Sequence, residues 1–147
     1  MTRPCVSLLG VLLLTMLGLA YGATLRNVEA AKELAEKVLS RAAAGDMDGI
    51  VTVVKPYWPF PEDELEALVL QTSQQRNMLA TRLGKSLGFA LVRRETAAET
   101  LLRLTYVEKF ENTGLRWMFT FYKVRDVWKF NSFTWDEEIA KLFSNGD

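Results

Sequence analysis

Residues 101–135 read LLRLTYVEKFENTGLRWMFTFYKVRDVWKFNSFTW. Leu102, Leu104, Tyr106 and Phe110 fall on one side of an extended chain, and Arg103, Thr105 and Lys109 on the other. Such alternation of aromatic and β-branched residues with polar ones belongs to strands that bury one face and wet the other. Asn112-Thr113-Gly114 interrupts it as a glycine-containing hairpin loop, and Arg125-Asp126 as a two-residue turn. The same period already holds from Phe89. Four strands are therefore predicted, over Phe89–Thr96, Thr100–Glu111, Leu115–Val124 and Val127–Trp135, joined by connections short enough to make a consecutive antiparallel meander.

Upstream the period lengthens to three and four. Val28, Ala31, Ala35, Val38, Leu39 and Ala42 share one face of a helix running from Leu25 to about Ala44. Gly45 supplies a left-handed stop, and Asp46 can cap a second helix reaching about Val54. The prolines of Lys55-Pro-Tyr-Trp-Pro-Phe-Pro61 forbid its continuation and make an aromatic linker. A third helix is expected from Pro61, with Glu62, Asp63 and Glu64 at its positive dipole end, to Leu83. Its buried stripe is Leu65, Leu68, Val69, Thr72, Gln75 or Arg76, Leu79 and Leu83, so an apolar face turns polar in its middle. Asp136 to Phe143 is expected to form a short C-terminal helix. The fold class is α+β, with three N-terminal helices packed on a curved four-stranded antiparallel sheet.

Residues 1–22 differ in composition from the rest. Arg3 precedes the apolar run Val6–Leu19, and Ala20-Tyr21-Gly22 gives a small-x-small end, the pattern of a signal peptide. An uncleaved anchor is the competing reading, since Val6–Ala23 approaches bilayer length. Cleavage after Gly22 would leave 23–147 as a single domain with no stable membrane insertion. Cys5 precedes the apolar run, where a lipoprotein cysteine would follow it, and its loss leaves a mature chain without thiols, suited to an oxidising compartment. The expected location is the bacterial periplasm or the exterior.

The 147 residues hold 18 basic and 18 acidic side chains, one cysteine and no histidine. Zero net charge leaves no footprint for nucleic acid. Without histidine, Ser-His-Asp and Cys-His catalysis and His-ligated metal centres are excluded. The carboxylates Glu62-Asp63-Glu64 and Asp136-Glu137-Glu138 stand at predicted helix starts, where the helix dipole accounts for them without calcium. Gly84-Lys85-Ser86 lacks the earlier glycine of a phosphate loop. No metal site and no cofactor are expected.

Two segments carry a family resemblance: the turn Ala43-Ala44-Gly45-Asp46-Met47-Asp48-Gly49-Ile50, and the terminal hairpin made by Leu115–Lys123 and Val127–Trp135. With the order of elements, they resemble the nuclear transport factor 2-like superfamily of cone-shaped α+β domains, which includes ketosteroid isomerases and polyketide cyclases, and are similar to small exported bacterial proteins of that fold. The resemblance implies a pocket-forming, often dimeric domain. The Asp/His pair of cyclase-type members has no counterpart here, and the isomerase triad does not map residue by residue.

Glu108 breaks the apolar row of the second predicted strand, and Arg76, with Thr72 and Gln75, lies on the helix face that should look toward it. These four, with Tyr106, Trp117 and Trp58, are the candidate ligand-binding residues. Trp58, in its proline-rich loop with Tyr57 and Phe60, is expected to be exposed, as a lid. For Glu108 the alternatives are a proton acceptor or ligand anchor and a structural ion pair. Phe133 and Trp135 fall opposite Trp128 and Phe130 in a regular strand. Either a homodimer through the sheet covers a second aromatic face, or a β-bulge corrects the register. The expected function is that of an exported non-catalytic domain binding a small apolar or amphipathic ligand or a protein partner. The alternative is an isomerase-like enzyme with Glu108 as base, Arg76 positioning an anion and Tyr106 or Tyr122 donating a hydrogen bond.

Overall fold

The computed structural model describes residues 22–143, so the expected signal segment, Gly22 apart, lies outside the described residues. Helix α1 spans Val28–Ala43, α2 Met47–Val54 and α3 Glu62–Leu83. Asn27 caps α1 by accepting the Ala30 N–H at 2.9 Å, and Asp46 caps α2 by accepting that of Gly49 at 2.9 Å. Between them Gly45 turns the chain at a φ of 72°, a left-handed angle that a side chain would strain. Pro61 sits at the N-cap of α3, one residue earlier than expected. The linker is not wholly extended, since Lys55–Tyr57 makes a 3-10 turn.

Strands β1 (Ser86–Ala97), β2 (Leu101–Phe110), β3 (Gly114–Val124) and β4 (Val127–Asp136) form one antiparallel sheet in the order β1-β2-β3-β4. The first begins three residues before its sequence signal, because Ser86 pairs with Phe110 ahead of a bulge at Leu87. At the other edge Leu25 exchanges two 2.7 Å backbone bonds with Trp128, adding a one-residue bridge to β4. The expected C-terminal helix is only a 3-10 turn, Ile139–Leu142. Four residues are too few to repay helix nucleation. Asp136 meanwhile holds the chain in a turn by accepting the Glu138 N–H at 2.9 Å.

The three helices cover one face of the sheet. From that face Tyr106, Trp117, Phe119, Phe121, Phe130 and Phe133, all at most 2% exposed, project into the space beneath Ala31, Leu34, Val38, Leu39, Ile50 and Leu65. The rings occupy this space in contact with one another. Trp117 stacks on Phe119 at 6.0 Å, and Phe121 meets Phe130 edge-on at 5.7 Å.

Phe133 belongs to this core because β4 carries a bulge. Phe121 pairs with Phe130 and Thr120 with Ser132, leaving Asn131 without a partner. Of the two arrangements that the sequence left open, the structure has the bulge, and the second aromatic face does not form. The motive for a sheet-to-sheet dimer drawn from that face goes with it.

Ion pairs occupy much of the outer face instead. Arg103 donates to Glu95 at 3.0 and 3.1 Å, and Arg116 to Asp136 at 3.0 and 2.6 Å. The Arg103 hydrogen bonds pull the Glu95 carboxyl below its ordinary value. Burial pushes Asp136 the other way, but the Arg116 bonds and the Glu138 N–H outweigh it and leave that carboxyl lowered too. Groups depressed in the folded state bind protons more readily in the unfolded one. Their stabilisation is therefore complete above the unfolded carboxyl range, about pH 4, and is lost as pH falls through the depressed values. The urea midpoint should hold from neutrality to about pH 5 and decline below about pH 4. In Glu95→Gln with Asp136→Asn the decline should be shallower; an unchanged decline would show that these pairs do not cause it.

Candidate functional site

Period two puts Glu108 on the helix-facing side of β2, and i, i+4 spacing puts Thr72 and Arg76 on the sheet-facing side of α3. The Glu108 carboxylate is fully buried. Arg76 Nη1 donates to its Oε2 at 2.6 Å and Nη2 to its Oε1 at 3.0 Å. Two further donors complete the set, Trp117 Nε1 on Oε2 at 3.0 Å and Ser86 Oγ on Oε1 at 3.1 Å. Four donors on two oxygens use every lone pair that a carboxylate offers.

Arg76 is fixed as closely. Its Nη2 also donates to the Ala42 carbonyl at 3.0 Å, in the last turn of α1 at the negative end of the helix dipole, an oxygen that accepts the Gly45 N–H as well. The guanidinium lies 5.6 Å from the Phe110 ring centre and 5.9 Å from that of Trp117. One bidentate pair thus ties α1, α3, β2, β3 and the start of β1 together.

That geometry limits what the pair can do. A general base needs a free lone pair within reach of a substrate proton, and Glu108 has no exposed surface and no vacant acceptor site. Proton abstraction would require one of its four bonds to break first. As it stands the pair is a cross-link.

Arg76, Glu108 and Trp117 therefore come together, and the other candidates do not join them. Thr72 Oγ1, one turn before Arg76 on α3, accepts a 3.3 Å bond from Trp135 Nε1 of β4. Tyr106 is buried and turns its hydroxyl to Glu36 Oε1 at 3.4 Å, an oxygen that Lys32 Nζ also meets at 3.0 Å. Burial first, then the Glu36 charge, pushes this phenol well above its ordinary value, so it stays protonated. Gln75 is exposed on α3, leaving Arg76 as the member of that pair on the inner face. Tyr122 is exposed, in register with Leu101 at the far end of β2 from Glu108.

Trp58 departs from expectation. It is 6% exposed, packed 6.1 Å from Phe130 with its indole N–H on the Pro61 carbonyl at 3.0 Å. The prolines that exclude helix here shape the loop around a buried ring, and Phe60 takes the exposed place. Sequence reasoning missed Ser86 and the Ala42 carbonyl. Ser86 lies in Gly84-Lys85-Ser86, whose only visible signal is a fragment of a phosphate loop, and a main-chain carbonyl leaves no residue-type signal at all.

Two surface clefts adjoin on this side of α3, and the first of them reaches the cross-link at Arg76. One, of about 180 Å³, is lined by Gly45, Met47, Ser73, Arg76, Asn77 and Phe110 among others. The other, of about 400 Å³, lies between α2 and α3 over Met47, Val51, Val69, Leu70 and Ser73, with Asp48 and Glu66 at its rim. No protein-family model, no curated protein and no solved structure matches this chain.

Proposed function

We propose that this is an exported, non-catalytic domain of the bacterial periplasm or exterior that acts by binding a protein partner at its surface, on a cone-type frame resembling the nuclear transport factor 2-like superfamily. The observation that carries the reading is the saturated Glu108 carboxylate. Among the described residues, the one buried acid of the helix-facing surface is spent on four structural bonds, and aromatic side chains occupy the space in which a small molecule would sit. The absence of histidine weighs on the same side. Exposed apolar residues remain at Leu70 and Met78 on α3 and at Leu101 and Tyr122 on the sheet, and these give a partner something to bury.

The test is photo-crosslinking in a bacterial host that exports the full chain, with p-benzoylphenylalanine placed singly at positions 70, 78, 101 and 122, followed by native mass spectrometry of the purified protein. Discrete protein adducts from at least one position, with a purified mass equal to the processed polypeptide that begins at Ala23, are expected. A tightly held small molecule in the mass spectrum, with no adduct from any position, would overturn the reading.

A further inference from the structure

The two clefts share Met47 and Ser73 on their linings and so adjoin along α3 as a furrow, of which one end reaches Arg76. Measured on α3 from Glu66 to Asn77, it runs for about 16 Å, or three helical turns. Its floor is apolar, made by Met47, Val51 and Val69, and Leu70 stands on its wall 60% exposed. We infer that this furrow is a docking groove for a basic amphipathic helix of another protein, an inference that rests on the partner-binding reading above.

Charge selects the partner. Around this end of the molecule Asp46 is paired with Arg41 at 2.9 Å and Glu62 with Lys55 at 2.5 Å. Among the described residues, the two acids that line it, Asp48 and Glu66, have no such basic partner, which leaves an apolar floor with acidic groups at its rim. Lysine or arginine flanking an apolar stripe would meet both features at once. A second copy of this chain is disfavoured, because a two-fold contact would bring acidic rim against acidic rim. An anionic lipid surface is disfavoured by the same repulsion.

Backbone chemistry selects the helix. The furrow lies between α2 and α3 at its Glu66 end and runs past the Gly45 turn and Phe110 of the doubly paired β2 at the other, so it offers no open strand edge and an extended peptide laid in it would leave main-chain donors unpaired. A helix arrives with those bonds made and can seat its side-chain ridge between α2 and α3.

The experiment is fluorescence anisotropy with the purified protein and three labelled peptides of about 18 residues, roughly five turns. These are a Leu/Lys sequence patterned for one apolar helical face, its Leu/Glu counterpart, and a shuffled Leu/Lys sequence with no such face. The patterned Leu/Lys peptide should bind about tenfold or more tightly than either of the others. Leu70→Ser, on an exposed position that the fold does not need, should weaken it about tenfold, and Asp48→Lys with Glu66→Lys should turn the preference toward the Leu/Glu peptide. Equal binding of the patterned and shuffled peptides, no loss in Leu70→Ser, or no binding of any peptide would overturn the groove. Crosslinks from positions 101 or 122 but not 70 would then leave the partner-binding reading intact, whereas a held small molecule with adducts from no position would remove both.

Discussion

Glu108→Leu should lower the stability of the domain by about 3–5 kcal/mol in urea unfolding, the range for breaking one side of a buried ion pair. The substitution leaves three donors behind: the Arg76 guanidinium, whose side chain is only 11% exposed, the Trp117 indole N–H and the Ser86 hydroxyl. An uncompensated buried cation dominates that cost. Arg76→Met with Glu108→Leu removes both charges and fills the space with apolar atoms, and it should recover a substantial part of the loss. The double-mutant cycle then reports a coupling of more than about 1 kcal/mol, as expected for groups in direct contact. A single mutant within about 1 kcal/mol of the parent would mean that the five-element cross-link is not what holds this end of the sheet.

The reading of the residue depends on the same cycle. A catalytic carboxylate is commonly kept at some expense to stability, so its removal often leaves the fold intact or firmer. A cross-link behaves in the opposite way. The size and sign of the Glu108 effect therefore bear on function as well as on folding.

The sheet was legible from the chain because its period-two pattern and short turns are local signals, and the helix pair at Gly45-Asp46 because capping is a matter of two adjacent residues. Glu108 and Arg76 were also visible, as polar breaks in two apolar stripes 32 positions apart that turn out to be bonded. Sequence could not show that the break is closed. Saturation of Glu108 needs Trp117 and Ser86, and the hold on Arg76 needs the Ala42 carbonyl, brought from three other elements by tertiary packing. Trp58 was misplaced for a similar reason: prolines identify a loop, but whether a loop buries its own ring depends on what lies beneath it, here Phe130.

The bulge at Asn131 gives the second large effect. Inserting one serine between Ser132 and Phe133 should move Phe133 and Trp135 to the outer face and bring Thr134 inward, because a one-residue slip in a strand exchanges its faces. Phe133 is now 2% exposed, and Trp135 is half-buried with its N–H bonded to Thr72. Burial forfeited by two aromatic rings and a hydroxyl forced inward would together cost about 4–8 kcal/mol. Against a total of about 5–15 kcal/mol for an ordinary domain, the variant should be largely unfolded or aggregated under conditions in which the parent is folded. Deleting Asn131 is the informative control. It joins Phe130 directly to Ser132, keeps Phe121 opposite Phe130 and Phe119 opposite Phe133, and removes only the local bend, so near-UV circular dichroism should remain close to that of the parent. If the insertion is tolerated as well as the deletion, the bulge absorbs extra residues freely and Phe133 is not what sets the register. If the deletion unfolds the chain, the bend itself is required, because the curvature that Asn131 introduces is then what lets β4 follow β3 around the aromatic core.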